Sequence, residues 1–161
     1  MQKRLFTVLV CVLAFSLSGF AQPKKSAAKK PAPAAGSPDK AYMQKIWDGW
    51  GTLDASHQKQ FYAQGDHAFF DVAPLKYASW EEYEKGVSGL LKSYKSMKFT
   101  VADDAQIHQH GDLVWATATV KEDAVTSAGK HEMATLRWTA VWEKQEGKWL
   151  IVHEHVSEPL P

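Results

Sequence analysis

Four long β segments fill the second half of this 161-residue chain, at roughly 98–109, 112–125, 131–144 and 148–156. In each, apolar and polar residues alternate, which sends successive side chains to opposite faces of a sheet. The breaks between them are short and glycine-bearing: His110-Gly111-Asp112, Ser127-Ala128-Gly129 and Gln145-Glu146-Gly147. Connections that short join antiparallel neighbours, so the second half is a meander. The half before it has a helical period. Tyr42, Ile46, Trp50 and Leu53 line one side of a helix that starts at Ser37 or Asp39 and ends near Gly51. Ser56 is placed to cap a short second helix carrying Phe61 and Tyr62 and stopping at Gly65. Residues 66–77 are aromatic and broken by Pro74, which leaves room for no more than a short strand. Ser79 with Glu82 forms a capping box, and Trp80, Tyr83, Val87, Leu90, Leu91 and Tyr94 supply the next helix with its apolar side. Helices followed by an antiparallel meander give an α+β fold.

Ser-Ala-Gly and Gln-Glu-Gly both suit three-residue hairpin loops whose last residue is a left-handed glycine. That loop length sets a register: Trp142 opposite Leu150, Ala140 opposite Val152, Trp138 opposite Glu154, and on the other side Val114 opposite Trp142 and Ala118 opposite Trp138. One face then collects Val114, Ala116, Ala118, Val120, Leu136, Trp138, Ala140, Trp142, Leu150, Val152 and Val156, with Glu154 its one ionisable group. This face is expected to meet the helices. The other face carries Trp115, Arg137, Trp149, Ile151, His153 and His155 among threonines, too aromatic for open solvent, and suits a subunit interface. A slip of one residue would exchange the faces of a strand.

Charge divides the chain unevenly. Residues 1–40 hold seven Lys or Arg and one acid, while twelve bases and seventeen acids follow, with all seven Trp and all seven His. A net-negative domain is a poor nucleic-acid binder, so no nucleic-acid partner is expected. Lys3 and Arg4 precede an apolar run from Leu5 to Phe20 ending in Gly19-Phe20-Ala21, the pattern of a signal peptide over residues 1–21 with cleavage before Gln22. The expected destination is periplasmic or secreted, with membrane contact only through that segment if it stays uncleaved. Cys11 lies inside it, so the exported form would have no cysteine and no disulfide. Residues 22–39, rich in Ala, Lys and Pro, read as a linker.

The segment GKWLIVHEHVSEP at 147–159, preceded by Arg137-x-Thr139 and Trp142, resembles the carboxy-terminal signature of SnoaL-like domains. The opening helix with Trp47, and FYAQGDHAFFDVAPLKYASWEEYEKGV at 61–87, resemble the same group, within the nuclear transport factor 2 and ketosteroid isomerase superfamily. The domain would span 40–161. The resemblance implies a cone: a strongly curved antiparallel sheet wrapped around amino-terminal helices, with a cavity at its open end and often a homodimer through the convex face. Members include isomerases, cyclases, dehydratases, assembly modules and exported proteins without known activity, so the fold does not choose among them.

Within such a cone the aromatic residues Trp47, Tyr62, Phe70, Trp80, Trp138 and Trp142, with Phe69, are candidates for a cavity that takes a small, mostly apolar ligand. Glu154 is the candidate catalytic residue. Held away from water on the apolar face, its pKa would rise toward the range a general base needs. Two rival placements stay open: a solvated Glu154 at the cone mouth, or a flipped last strand with His153 and His155 inside. Asp66 and Asp71 flank the aromatic run, as cavity polar groups or as a turn cap and a strand-end acid. Arg137, His153 and His155 form a possible polar site or interface. His108 with His110, and His153 with His155, have the two-residue step that could share a metal, but no third ligand accompanies either pair, so no metal is expected. Neither a Gly-x-Ser-x-Gly elbow nor a glycine-rich phosphate loop is present, so no cofactor is expected. Three functions fit: an exported ligand-binding domain, an isomerase or dehydratase with a buried carboxylate as base, or a dimeric assembly module without a ligand.

Overall fold

Asp39 starts the first helix, its carboxylate accepting the Tyr42 backbone N–H at 2.7 Å. The computed structural model describes residues 36–160; the proposed signal segment and linker residues 22–35 lie outside them. Helix α1 (Lys40–Trp50) buries Met43, Ile46, Trp47 and Trp50, one side at helical spacing. Tyr42 stands at the border of that side and donates its hydroxyl to the Trp149 carbonyl at 3.0 Å. A 3-10 helix (Ala55–Phe61) follows, capped by Asp54 rather than Ser56: the Asp54 carboxylate accepts both the backbone N–H and the hydroxyl of Ser56. The aromatic segment forms two short strands, β1 (Asp66–Phe70) and β2 (Tyr77–Ser79), paired antiparallel. Helix α2 (Trp80–Leu91) starts at Ser79, which accepts from the Glu82 N–H, while Glu82 reaches back to the Ala78 N–H. Among the described residues no helix is long and apolar enough to cross a membrane.

The meander comprises β3 (Tyr94–Val101), β4 (Gln106–His110), β5 (Leu113–Thr126), β6 (His131–Gln145) and β7 (Lys148–Ser157). The segment expected as one strand at 98–109 is thus two. Ala102–Ala105 break it, with Asp104 accepting the Thr119 N–H at 3.0 Å and the Ala102 N–H donating to the Thr119 carbonyl at 2.9 Å. Both pieces still pair with β5, β3 along its second half and β4 along its first. The sheet runs β2-β1-β7-β6-β5-β3 and is curved and unclosed, with the helices on its inner face around one core. The β1 contact with β7 is parallel, Phe69 beside Glu154 and Phe70 beside His155.

The β5–β6 hairpin has the expected three-residue loop and register, Val114 opposite Trp142 and Ala118 opposite Trp138. The β6–β7 hairpin differs. Gln145 pairs with Lys148 across a two-residue turn in which Glu146 has φ 50° and Gly147 φ 80°. Two positive φ values define a type I′ turn, whose twist suits two antiparallel strands. One residue fewer in the loop exchanges the faces of the first half of β7, so Trp149 and Ile151 are buried while Leu150 is turned outward. A bulge then follows: Trp142 pairs with Ile151 but Val141 pairs with His153, leaving Val152 as the extra residue. The bulge exchanges the faces a second time. Glu154 and Val156 therefore point inward, opposite Ala140 and Trp138 rather than Trp138 and Leu136. Trp149 and Ile151 drop out of the expected interface face, which keeps Trp115, Arg137, His153 and His155.

Candidate functional site

Glu154 is 1% exposed and fully engaged. Its Oε1 accepts from the Tyr62 hydroxyl at 2.9 Å and the Tyr83 hydroxyl at 2.5 Å, and its Oε2 from Trp138 Nε1 at 2.8 Å and again from Tyr62 at 3.0 Å. Each donor comes from a different place: Tyr62 from just past the 3-10 helix, Tyr83 from α2, Trp138 from β6. Burial pushes the carboxyl up to about 7, against the opposing pull of the three donors. The phenols of Tyr62 and Tyr83 are raised well above their ordinary value, by burial first and then by the Glu154 charge. Tyr83 is further held by Phe69, whose ring stacks on it at 5.4 Å.

In front of this cluster lies a cavity of about 580 Å³. Trp47, Trp50, Tyr77, Tyr83, Tyr94 and Phe99 form its aromatic wall, with Val87, Leu90, Leu91 and Leu136 as aliphatic surface. Gly86 is required there, because a Cβ at that position would fall 2.4 Å from the Tyr77 ring and hydroxyl. Asp71, Glu122, Glu132 and Glu158 also border the cavity. Asp71 caps the Val72 N–H at 2.7 Å, and burial raises its carboxyl. Trp47 is 5% exposed and its indole Nε1 has no hydrogen-bond partner in the protein.

Of the six aromatics expected to line the cavity, Trp47 does. Tyr62, Trp80, Trp138 and Trp142 are packed in the core behind it, where Tyr62 and Trp138 serve Glu154. Phe70 faces the other side of the sheet, its ring edge-on to His153 at 5.5 Å and His155 at 5.9 Å. There His153 Nδ1 lies 2.7 Å from the Ala68 carbonyl, and the bulge sets His155 opposite Thr139 and His153 opposite Val141, away from Arg137, which pairs with Ser157. Glu154 sits behind Tyr83 rather than in the cavity lining. Among the described residues no group of three or more His, Cys, Asp or Glu is arranged to hold a metal.

Tyr83, Glu122, Glu132 and Glu158 were not singled out by the sequence reading. Tyr83 looks like any core residue of an amphipathic helix. The acids carry a signal, since Glu122 has the same parity as Val120 and Ala124, Glu132 as Leu136 and Glu158 as Val156, on or just past the inward row of each strand.

The fold has many solved counterparts. A nuclear transport factor 2-like superfamily protein from Salmonella enterica matches with a TM-score of 0.66 at 20% identity, over 76% of this chain and 92% of that one. A protein provisionally designated a dehydratase of the NTF2-like family, from Streptomyces avermitilis, matches with a TM-score of 0.64 at 12% identity, over 76% and 95%. The association domain of CaMKII from C. elegans matches with a TM-score of 0.59 at 17% identity, over 73% and 90%. No curated protein matches the chain in sequence. At these identities the likeness speaks to fold alone, and it agrees with the inward helices, the curved sheet and the open-ended cavity. Residues 42–161 match the SnoaL-like domain, and the chain belongs to that family.

Proposed function

We propose that this domain holds a small, mostly apolar molecule in its cavity, as an exported protein and as a homodimer. The observation that carries the reading is the cavity itself: about 580 Å³, with the aromatic residues Trp47, Trp50, Tyr77, Tyr83, Tyr94 and Phe99 in its wall. Pockets of roughly 300–1,000 Å³ with apolar walls and a few polar groups suit small ligands. Export is supported by the charged and apolar pattern of residues 1–21. The homodimer is supported by Trp115, 42% exposed on the outer sheet face and stacked on His108 at 3.9 Å. Native mass spectrometry of protein from its own host reads all three points. The expected spectrum is a dimer of chains beginning at Gln22 with a co-purifying small molecule, and Leu90→Trp, at the half-exposed cavity edge, should strip that molecule without unfolding the chain. An empty protein that also fails to take up added apolar ligands would overturn the binding reading.

A second reading is favoured by Asp71, a cavity-lining carboxylate raised by burial and sharing the wall with the Tyr83 phenol. Asp71 is positioned to take a proton next to a carbonyl, with Glu154 acting behind as the positioning residue for Tyr83. In deuterated buffer the protein would then speed exchange of the α-protons of 2-tetralone, and Asp71→Asn would abolish that acceleration. No acceleration by the native protein would sink this enzymatic reading and leave the binding reading intact.

A further inference from the structure

Four acids border the cavity, each two positions along the chain from an apolar residue of the inner sheet face. Phe69 is followed by Asp71, Val120 by Glu122, and Val156 by Glu158, while Leu136 and Ala134 are preceded by Glu132. In β5 and β6 alternation turns Glu122 and Glu132 to the side of their apolar neighbours, while Asp71 and Glu158 follow directly on the last residues of β1 and β7. The basic side chains in the same wall are already engaged. Lys130 Nζ is 2.8 Å from Glu132, and His131 Nε2 is 2.7 Å from Asp123. Among the described residues Asp71, Glu122 and Glu158 have no ion-pair partner.

The side chains there register the resulting field. The Glu122 carboxyl is raised by burial, then by Glu158, Glu132 and Asp71. The Tyr77 phenol is raised by burial, then by Asp71, and that of Tyr94 by burial, then by Glu122 and Glu132. Like charges on a partly desolvated rim repel unless a counter-charge joins them. Trp50, Tyr77, Tyr83 and Tyr94 line the same wall, and aromatic rings attract cations. Among the described residues these acids form no group arranged to hold a metal ion, and the adjoining aromatic wall suits an organic cation.

We propose that the ligand is a cationic amphiphile, with a flat apolar body on the aromatic wall and a protonated or quaternary nitrogen between Asp71, Glu122 and Glu158. This rests on the cavity being a binding site, and the test separates the two. Three probes share one aromatic body and differ in the head group: 2-(1-naphthyl)ethylamine, 2-(1-naphthyl)ethanol and 1-naphthaleneacetate. Affinities are measured by calorimetry at pH 7.5 on the native protein and on the isosteric double variant Glu122→Gln/Glu158→Gln, with its fold checked by circular dichroism. The amine is expected to bind about tenfold or more tighter than the alcohol, and the acetate most weakly. In the double variant the advantage of the amine should shrink to about threefold or less while the alcohol is unaffected. An alcohol that binds as well as the amine, or an amine advantage that survives the double substitution, overturns the cation proposal and leaves the cavity as a neutral site. No binding of any probe up to millimolar concentration overturns both.

Discussion

Glu154→Ala is expected to destabilise the domain by roughly 3–5 kcal/mol, a large share of what a domain of this size has. The carboxylate is the common acceptor of Tyr62, Tyr83 and Trp138, and its removal leaves those donors unpaired in the core beside an empty volume. Glu154→Gln keeps the shape and one acceptor, so it should cost less, about 1–2 kcal/mol. Its main effect should appear in the pH dependence. The folded pKa, about 7, lies above the ordinary 4.5, so between these values the folded chain retains a proton that the unfolded chain releases. Stability therefore declines as pH rises through that window and levels off above it, by a total on the order of 3 kcal/mol. Asp71 and Glu122, also raised by burial, add slope of the same sign. Asp54, Asp103 and Asp104, lowered by hydrogen bonds, act in the opposite sense at more acidic pH. Urea titrations of native protein and Glu154→Gln between pH 4.5 and 8 isolate the Glu154 part. If both proteins show the same slope, Glu154 does not titrate as its burial requires.

Ile151→Glu should prevent folding, or cost more than about 4 kcal/mol, whereas Leu150→Glu should cost about 1 kcal/mol or less. Ile151 is fully buried opposite Trp142 and bridged to Tyr62, and a carboxylate there would have no donor built for it. Leu150 points outward opposite Glu143 and is only half-buried. A three-residue Gln-Glu-Gly loop would reverse the pair, with Ile151→Glu tolerated on the outer face and Leu150→Glu placed in the core. Thermal unfolding of the two variants therefore tells the two-residue turn from the three-residue one, and a tolerant Ile151 would refute the observed register.

The handling of β7 shows how far local pattern reaches. Period-two alternation, turn glycines and capping residues are short-range properties, each readable within a few residues. They sufficed for α1 and for the start of α2, though not for the cap of the 3-10 helix or for Tyr94, which opens β3 instead of extending α2, and they sufficed for the β5–β6 hairpin with its three-residue loop and for the division of β5 and β6 into a core face and an outer face. The match of 61–87 and 147–159 to the SnoaL-like pattern carried the rest of the architecture. The turn after β6 was less legible, because Gln-Glu-Gly is compatible with either loop length. The bulge at Val152 has no mark in the sequence at all. It belongs to the curvature of β7, which must follow β6 on one side and meet β1 in parallel on the other. Turn and bulge each exchange the faces, so Glu154 is on the inner face by two shifts that cancel, while Trp149, Ile151 and Leu150, lying between them, are exchanged.

The site follows the same division. That β7 carries a lone carboxylate among apolar residues is plain from the order of residues, as are the acids on or beside the inward rows. Which donors meet that carboxylate is not, since Tyr62, Tyr83 and Trp138 are 92, 71 and 16 residues from Glu154 along the chain. Only the curving of the sheet over the helices brings them within 3 Å, and only that packing puts Tyr83 between Glu154 and the cavity and turns Phe70 away from it. Local chemistry set the period, the turns and the identity of the acids; long-range packing set their partners, because the free energy of a buried hydrogen-bonded group depends on neighbours that the chain supplies from elsewhere.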